Sequence, residues 1–130
     1  MNGSEIMKIQ ESAENYLEAI LMLSEKNGYV RSIDVANELS FTKASVSVAM
    51  KSFRSEGYIE VGPDGKITLT PKGLEIAEKI YARHKLIAKA LIAIGVDEAA
   101  AYRDSCRIEH GISDESFEKI KQYLATKGIE

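Results

Sequence analysis

The residues best suited to chemistry form a short run near the C-terminus, at positions 106–110 (Cys-Arg-Ile-Glu-His). Cys106, Glu109 and His110 are spaced i, i+3 and i+4, so on an α-helix their side chains share one face. A thiolate, a carboxylate and an imidazole together can ligate Fe(II), Mn(II), Co(II), Ni(II) or Zn(II). The other histidine of the chain, His84, can supply a second imidazole. The spacing therefore predicts a divalent metal site.

Each of these residues also has a plainer interpretation. A lone cysteine is more often a small core residue, a lone histidine is more often a hydrogen-bonded core group, and Glu18, which offers a further carboxylate, could be a solvated charge. Both histidines and the single cysteine nevertheless lie on segments that can meet. Spacing alone leaves both interpretations open. An enzyme using Cys106 and His110 is disfavoured, because no oxyanion site or Gly-rich phosphate loop lies nearby, and no small organic substrate is indicated.

A second group of residues predicts contact with double-stranded DNA. The start of a helix predicted from position 42 is small and hydroxylated around one lysine, which permits close approach to phosphates and thymine methyl groups. The net charge of −3 argues against DNA at first, but residues 31–54 carry +2 and residues 66–89 carry +4. A protein-interaction module, or a helix that is merely exposed, is the alternative. The predicted DNA contacts are Arg31, Thr42, Lys43, Ala44, Ser45, Ser47, Lys51, Arg54 and Lys66.

Hydrophobic periodicity predicts the elements that position these residues. An Asp-Gly turn between alternating β-branched residues predicts a hairpin, and Gly95 ends a helical segment that is either one helix or two with a bend. In the third helix, Val46, Val48, Ala49, Met50 and Phe53 are the apolar residues. The predicted helices cover 12–25, 33–39 with Ser32 as cap, Thr42 to a stop at Gly57, Pro71–Ile94, 97–110, and a last one capped by Ser113, with strands at 58–61 and 66–70.

This order predicts a mainly α protein: a winged helix-turn-helix over residues 1–75, followed by a helical metal-binding and dimerisation domain over residues 76–130. An apolar fraction of 45% with 28% charged residues argues against disorder. No apolar run approaches the roughly 20 residues that span a bilayer, so no membrane partner is expected. One cysteine excludes an internal disulfide. With no secretory signal in the sequence, a cytoplasmic location is expected.

With these pieces placed, the sequence resembles the diphtheria toxin repressor and manganese transport regulator family of metal-dependent repressors. The resemblance covers roughly positions 12–123 and rests on four motifs, at 14–20, 69–73, 83–86 and 106–110. It implies a homodimer that binds palindromic operator DNA when loaded with metal and represses metal-uptake genes. It also implies metal ligands at Asn15, Glu18, His84, Cys106, Glu109 and His110.

The match combines two branches of the family. Cys106 follows the iron-responsive branch and Glu18 follows the manganese branch, whereas Asn15 stands where the family usually has Asp or Met. An amide oxygen is a weaker ligand than a carboxylate, so the first helix is expected to be coupled less firmly to the ion. Ala88 and Tyr102 replace the ligands of an ancillary site, so no second site of that kind is expected. The soft thiolate favours Fe(II), with Mn(II), Zn(II), Ni(II) or Co(II) as alternatives.

The resemblance also implies a mechanism. The ion brings together ligands on the first and later helices. This orients the two DNA-binding domains of the dimer for half-sites about 34 Å apart. The dimer contact is expected on the apolar face of residues 86–94, which includes Leu91 and Ile92, and no additional C-terminal domain is expected. The main alternative is a winged-helix regulator that has lost its metal dependence, with Asn15 as the first sign of that loss.

Overall fold

The computed structural model describes the backbone of residues 3–129 and the side chains of residues 12–129. Within this range the chain divides into two compact units, residues 1–78 and 79–130. The elements are α1 (Gly3–Asn27), α2 (Ser32–Leu39), α3 (Lys43–Ser55), β1 (Ile59–Val61), β2 (Ile67–Leu69), α4 (Pro71–Ala93), α5 (Glu98–Gly111) and α6 (Asp114–Thr126). The predicted fold class, a mainly α winged helix-turn-helix followed by helices, is confirmed.

The first unit packs α1, α2 and α3 against a two-stranded antiparallel hairpin, in which Ile59 pairs with Leu69. Its core is aliphatic except for an aromatic cluster, where the ring of Phe53 lies 5.6 Å from that of Tyr16 and 6.4 Å from that of Tyr58. Burial raises the pKa of the Tyr16 hydroxyl above its ordinary value. The hairpin is therefore held against a preformed three-helix core, which fixes where the wing projects.

Capping residues set where the helices of this unit begin. The hydroxyl of Thr42 accepts a 3.1 Å hydrogen bond from the Ser45 N–H, so the predicted cap of α3 is confirmed. The prediction that Ser32 caps α2 is wrong, because Arg31 is the N-cap residue and Ser32 is the first helical residue. The reason is Asp34, whose carboxylate accepts a 2.9 Å hydrogen bond from the Arg31 N–H.

The register of α3 separates its apolar residues into two groups. Val46, Met50 and Phe53, spaced i, i+4 and i+7, form the buried face of the helix. Val48, another apolar residue of this helix, is 70% exposed. At 100° per residue Val48 falls about 140–160° away from these three, on the side that faces solvent. The apolar character of Val48 is therefore not explained by the core.

The second unit is built from the greater part of α4 together with α5 and α6. The segment that could have been two helices is a single helix, α4. Side-chain caps start the other two helices, since Asp97 accepts from the Ala100 N–H and Ser113 accepts from the Ser116 N–H. None of the described helices is long and apolar enough to cross a membrane.

Candidate functional site

Helix α5 places Cys106, Glu109 and His110 on neighbouring turns, and α4 places His84 beside them. One Glu109 oxygen lies 3.9 Å from Nδ1 of His84, and the other lies 3.4 Å from Nε2 of His110. One ligand atom each from His84, Cys106 and Glu109 lie within 4.8 Å of one another. The structure thus brings these four predicted ligands of the second unit into one cluster centred on the Glu109 carboxylate.

The protonation of His84 is set by its surroundings. Nε2 of His84 lies 3.0 Å from the backbone oxygen of Tyr102, which can only accept a hydrogen bond. Nε2 is therefore the ring nitrogen that donates, and Nδ1 is the one that faces Glu109. Metal-binding histidines commonly donate their second ring N–H to a backbone carbonyl in this way. The ring of Tyr102 also packs edge-on against the imidazole, at 5.9 Å between centroids.

Ser105 is a further residue of this network that the sequence did not reveal. Its side chain is fully buried, and its hydroxyl donates a 2.9 Å hydrogen bond to the same Tyr102 oxygen that accepts from His84. This places two donors on one carbonyl and fixes the last turn before Cys106. A serine one position before the 106–110 motif carries no signal in the sequence, because a hydroxyl that bonds the carbonyl three residues earlier is common within helices.

The donor set fits a divalent transition metal. Metal–nitrogen, metal–oxygen and metal–sulfur bonds are about 2.0–2.3 Å, so ligand atoms around one ion stand roughly 3–4 Å apart. The 4.8 Å limit on the present separations leaves only small side-chain rotations to close. Glu109 is 2% exposed, and an ionised carboxylate at that depth needs a compensating positive charge. A divalent ion in the cluster would supply that charge.

The remaining predicted ligands, Asn15 and Glu18, belong to the first unit. Both lie on α1, one turn apart. Glu18 is only 4% exposed, so its side chain is not the solvated charge of the plainer interpretation. Asn15 is half-buried.

The predicted DNA contacts on α3 share an exposed surface. With Val46 at the centre of the buried face, Ala44, Val48 and Lys51 lie on the opposite side of the helix. The exposed residues of α3 and its cap that were predicted to contact DNA are Thr42, Lys43, Ala44, Ser45, Ser47, Lys51 and Arg54. Val48 stands in the middle of this surface and was missed as a candidate, although its i, i+4 relation to Ala44 could have indicated it.

Arg31 and Lys66, the two predicted contacts outside α3, meet at the wing. Arg31 Nε donates to the Asp64 backbone oxygen at 3.1 Å, and its guanidinium lies 4.9 Å from the centroid of the Tyr29 ring. The Lys66 ammonium lies 5.4 Å from the same ring. The Lys66 backbone N–H, followed by the charge of its side chain, holds the pKa of the Asp64 carboxyl below its usual value. The Tyr29 ring, which the sequence did not single out, contacts the side chains of both Arg31 and Lys66.

Comparison with known protein families matches both halves of the chain. Residues 8–67 match the family model described as iron dependent repressor, N-terminal DNA binding domain. Residues 70–127 match the model described as iron dependent repressor, metal binding and dimerisation domain. The cluster around Glu109 therefore lies in the part matched by the second model, and α3 and the start of the wing lie in the part matched by the first.

Similar proteins have been found by sequence and by structure. An uncharacterised HTH-type transcriptional regulator of Methanocaldococcus jannaschii is 36% identical over 118 residues, 89% of this chain and 94% of the relative. The HTH-type transcriptional regulator MntR of Lysinibacillus sphaericus is 36% identical over 109 residues, 84% of this chain and 78% of the relative. The crystal structure of T. acidophilum IdeR matches with a TM-score of 0.77 at 26% identity, over 86% of this chain but only 53% of the longer IdeR chain.

Proposed function

Because this chain belongs to the iron-dependent repressor family, whose members are DNA-binding transcriptional regulators rather than enzymes, we propose that it is a repressor that binds palindromic operator DNA as a homodimer when loaded with a divalent metal. The observation that carries the metal dependence is the buried cluster of His84, Cys106 and Glu109, with ligand atoms within 4.8 Å of one another. Residues 1–75 are the DNA-binding domain and residues 76–130 the metal-binding and dimerisation domain in this proposal.

The ion is held by Nδ1 of His84, Sγ of Cys106, the Glu109 carboxylate and the His110 imidazole. The orientation of His84 supports its role, because the hydrogen bond to the Tyr102 carbonyl engages Nε2 and turns Nδ1 toward Glu109. Glu18 and Asn15 complete the ligand set from α1, as the family resemblance implies. The buried position of the Glu18 carboxylate supports a charged partner for it rather than solvent.

Fe(II) is the proposed physiological ion. A thiolate is a softer ligand than a carboxylate, and it favours Fe(II), Co(II), Ni(II) or Zn(II) over Mn(II). A similar solved structure, at 25% identity, is that of the manganese regulator SloR, so Mn(II) is the competing choice. In the Irving–Williams order, Fe(II) binds a given site more tightly than Mn(II) does. The measured affinities of the two ions must therefore be compared with that order.

DNA is contacted through the exposed side of α3 and the Arg31–Lys66 pair at the wing. In helix-turn-helix proteins the second helix of the motif enters the major groove with its N-terminal residues near the bases. Ala44 and Val48 are placed to meet thymine methyl groups, and Lys51 is placed to meet phosphates.

The homodimer forms through apolar residues left exposed in the second unit. Ile92, Ile94, Tyr102 and Ile108 are each 39% exposed or more, although large apolar side chains gathered on one small unit rarely stay in water. Covering this surface with a second copy would place two DNA-binding domains side by side, at half-sites about one turn of DNA apart.

The proposal is tested by calorimetry of the chelator-treated chain with Fe(II), Mn(II) and Zn(II) under anaerobic conditions, repeated with Cys106→Ala and with Ser116→Ala as the control. Binding at micromolar affinity or tighter, weakened in Cys106→Ala and unchanged in Ser116→Ala, is expected. Operator binding is then measured by fluorescence anisotropy with and without the metal. Equal affinity in both conditions would leave the alternative, a winged-helix regulator that no longer depends on metal.

The DNA surface is tested separately by charge reversal. Lys51→Glu on α3 is expected to weaken DNA binding at least ten-fold and to reduce its salt dependence, because a phosphate contact becomes a repulsion. Lys119→Glu on α6 makes the same change in net charge away from this surface and is expected to have little effect. Equal losses in the two variants would show that only overall charge matters, and no loss in either would favour a protein-interaction module.

A further inference from the structure

An open groove of about 610 Å³ lies between α4 and α6. It lies within the second unit and is separate from the cluster around Glu109. A second cavity of about 320 Å³ shares Leu86 and Lys121 with it and continues toward Ile129. The two together form an elongated trench, which we term the α4–α6 groove.

The floor of the α4–α6 groove is apolar. Ala82 and Leu86 contribute from α4 and Phe117 from α6, and Ala125 and Ile129 line its continuation. The volume of the groove falls within the range of small-molecule sites, roughly 300–1,000 Å³. An apolar trench of this kind gains free energy from a ligand that brings hydrocarbon with it, at about 0.8 kcal/mol per buried CH₂.

The rim of the groove is strongly basic, although the whole chain carries a net charge of −3. Asp114 and Glu118 are the two acids of the lining, so its formal charge is +3. The basic residues of the lining are Lys79, Arg83, Lys85, Lys89 and Lys121. A local reversal of charge of this size attracts anions at short range.

Arg83 anchors the basic end of the groove. It is only 7% exposed, its NH1 donates to the Asp114 carboxylate at 3.1 Å, and its NH2 donates to the Ile112 backbone oxygen at 2.9 Å. Its guanidinium also lies 4.8 Å from the centroid of the Phe117 ring. The apolar floor is therefore joined to the Arg83–Asp114 ion pair, and the net positive charge of the rim comes from the lysines. The Asp114 carboxylate disfavours a multiply charged ligand.

We propose that the α4–α6 groove is a binding site for a singly charged amphipathic anion, of the alkyl carboxylate class. The carboxylate lies among the lysines of the rim, and the alkyl chain follows the trench from Phe117 toward Ile129. This inference does not depend on the metal site or on DNA binding, and it is tested on the full chain in the metal-free and metal-loaded forms alike.

The experiment is calorimetric titration with decanoate, kept below its micelle concentration, and with hexanoate and 1-decanol as comparison ligands. Decanoate is expected to bind with a Kd on the order of 100 µM. Each additional buried CH₂ should tighten binding about four-fold, so hexanoate should bind much more weakly. The uncharged 1-decanol, which matches the chain length, should lose the contribution of the basic rim.

Two variants assign the binding to this groove. Lys121→Glu reverses the charge of a side chain that lines both cavities, and it is expected to weaken decanoate binding roughly ten-fold. Lys119→Glu, on the same helix but outside the lining, is the matched control and should bind as the parent does. Ala82→Phe fills the trench without removing any group and should also abolish binding.

Three results would overturn the proposal. Absence of decanoate binding is the first, and equal weakening by Lys119→Glu, which would mark the association as nonspecific, is the second. The third is a change in the sedimentation coefficient of ligand-free Lys121→Glu relative to Lys119→Glu, because the groove would then be covered by a second copy of the chain. Failure of the metal titrations described above would leave this test unaffected.

Discussion

The carboxylate of Glu109 is the part of the metal cluster whose removal should have the most distinctive consequences. It is 2% exposed, and its oxygens lie 3.9 Å from His84 Nδ1 and 3.4 Å from His110 Nε2. Glu109→Gln keeps the volume of the side chain and removes its charge. Burial of an ionised carboxylate is costly unless it is compensated. We therefore expect metal binding to be strongly weakened in the variant, because the amide brings no charge to offset that of the ion.

The size of the effect follows from linkage. Loss of groups that only support metal ligands costs about 10–100-fold in affinity, so loss of a charged ligand itself should cost about 100-fold or more. With metal at 100 times the parent Kd, binding stabilises the parent by about 2.7 kcal/mol. At the same concentration a site 100-fold weaker is half-filled and contributes only about 0.4 kcal/mol. For a chain of 130 residues, with roughly 4 °C per kcal/mol, the metal-induced rise in Tm falls from roughly 10 °C to roughly 2 °C.

Thermal unfolding followed by circular dichroism, with chelator and with excess Mn(II), measures both quantities in one set of samples. Glu118→Gln is the matched control, since it makes the same change at an exposed position of α6. The reasoning is refuted if Glu109→Gln keeps the full metal-induced rise in Tm. It is also refuted if Glu118→Gln loses the metal-induced rise to the same extent, because the loss would then not be specific to Glu109.

Three further predictions concern the first unit. Gly73→Ala should lower the free energy of unfolding by about 1–3 kcal/mol in urea titrations, because the new Cβ would overlap the Tyr58 carbonyl oxygen. The same change elsewhere in a helix usually raises stability. Stability equal to or above that of the parent would contradict this prediction. For Asp64, the lowered folded-state pKa means that its stabilising effect is present above the ordinary value of 3.8 and is lost as pH falls through the lower folded value. The stability difference between parent and Asp64→Asn should thus vanish at strongly acidic pH, and a difference that grows on acidification would reverse the assigned sign. Phe53→Ala should cost about 3–5 kcal/mol by the same urea titration, with the half-exposed Phe41→Ala costing much less.

Much of the metal cluster could be predicted from local spacing. Cys106, Glu109 and His110 lie within five consecutive residues, and a helix brings such neighbours to one face whatever the rest of the chain does. The same holds for the hairpin, since the Asp-Gly turn and the alternating residues around it specify their own pairing. These features depend on backbone geometry over one or two turns, which residue types alone define.

Other features could not be assigned correctly where two choices were locally equivalent. Val48 is apolar and lies two residues from both Val46 and Met50, so the sequence listed it among the apolar residues of the helix without assigning it a face. Its actual direction follows from the phase of α3, which is set by the three residues that pack against the first unit. In the same way Ser32 is a good cap by type, but Asp34 fixes the N-cap one residue earlier by accepting the Arg31 N–H.

Residue identity and short-range periodicity are enough to define the winged fold and the basic segments, and they predict the ligand types of the proposed metal site. Tertiary structure alone decided which nitrogen of His84 donates, since its partner, the Tyr102 carbonyl, lies 18 positions away. Tertiary structure also decided that α4 and α6 leave a groove with a basic rim. Both outcomes depend on how helices distant in sequence pack side by side, and packing brings together groups whose relation no local pattern records.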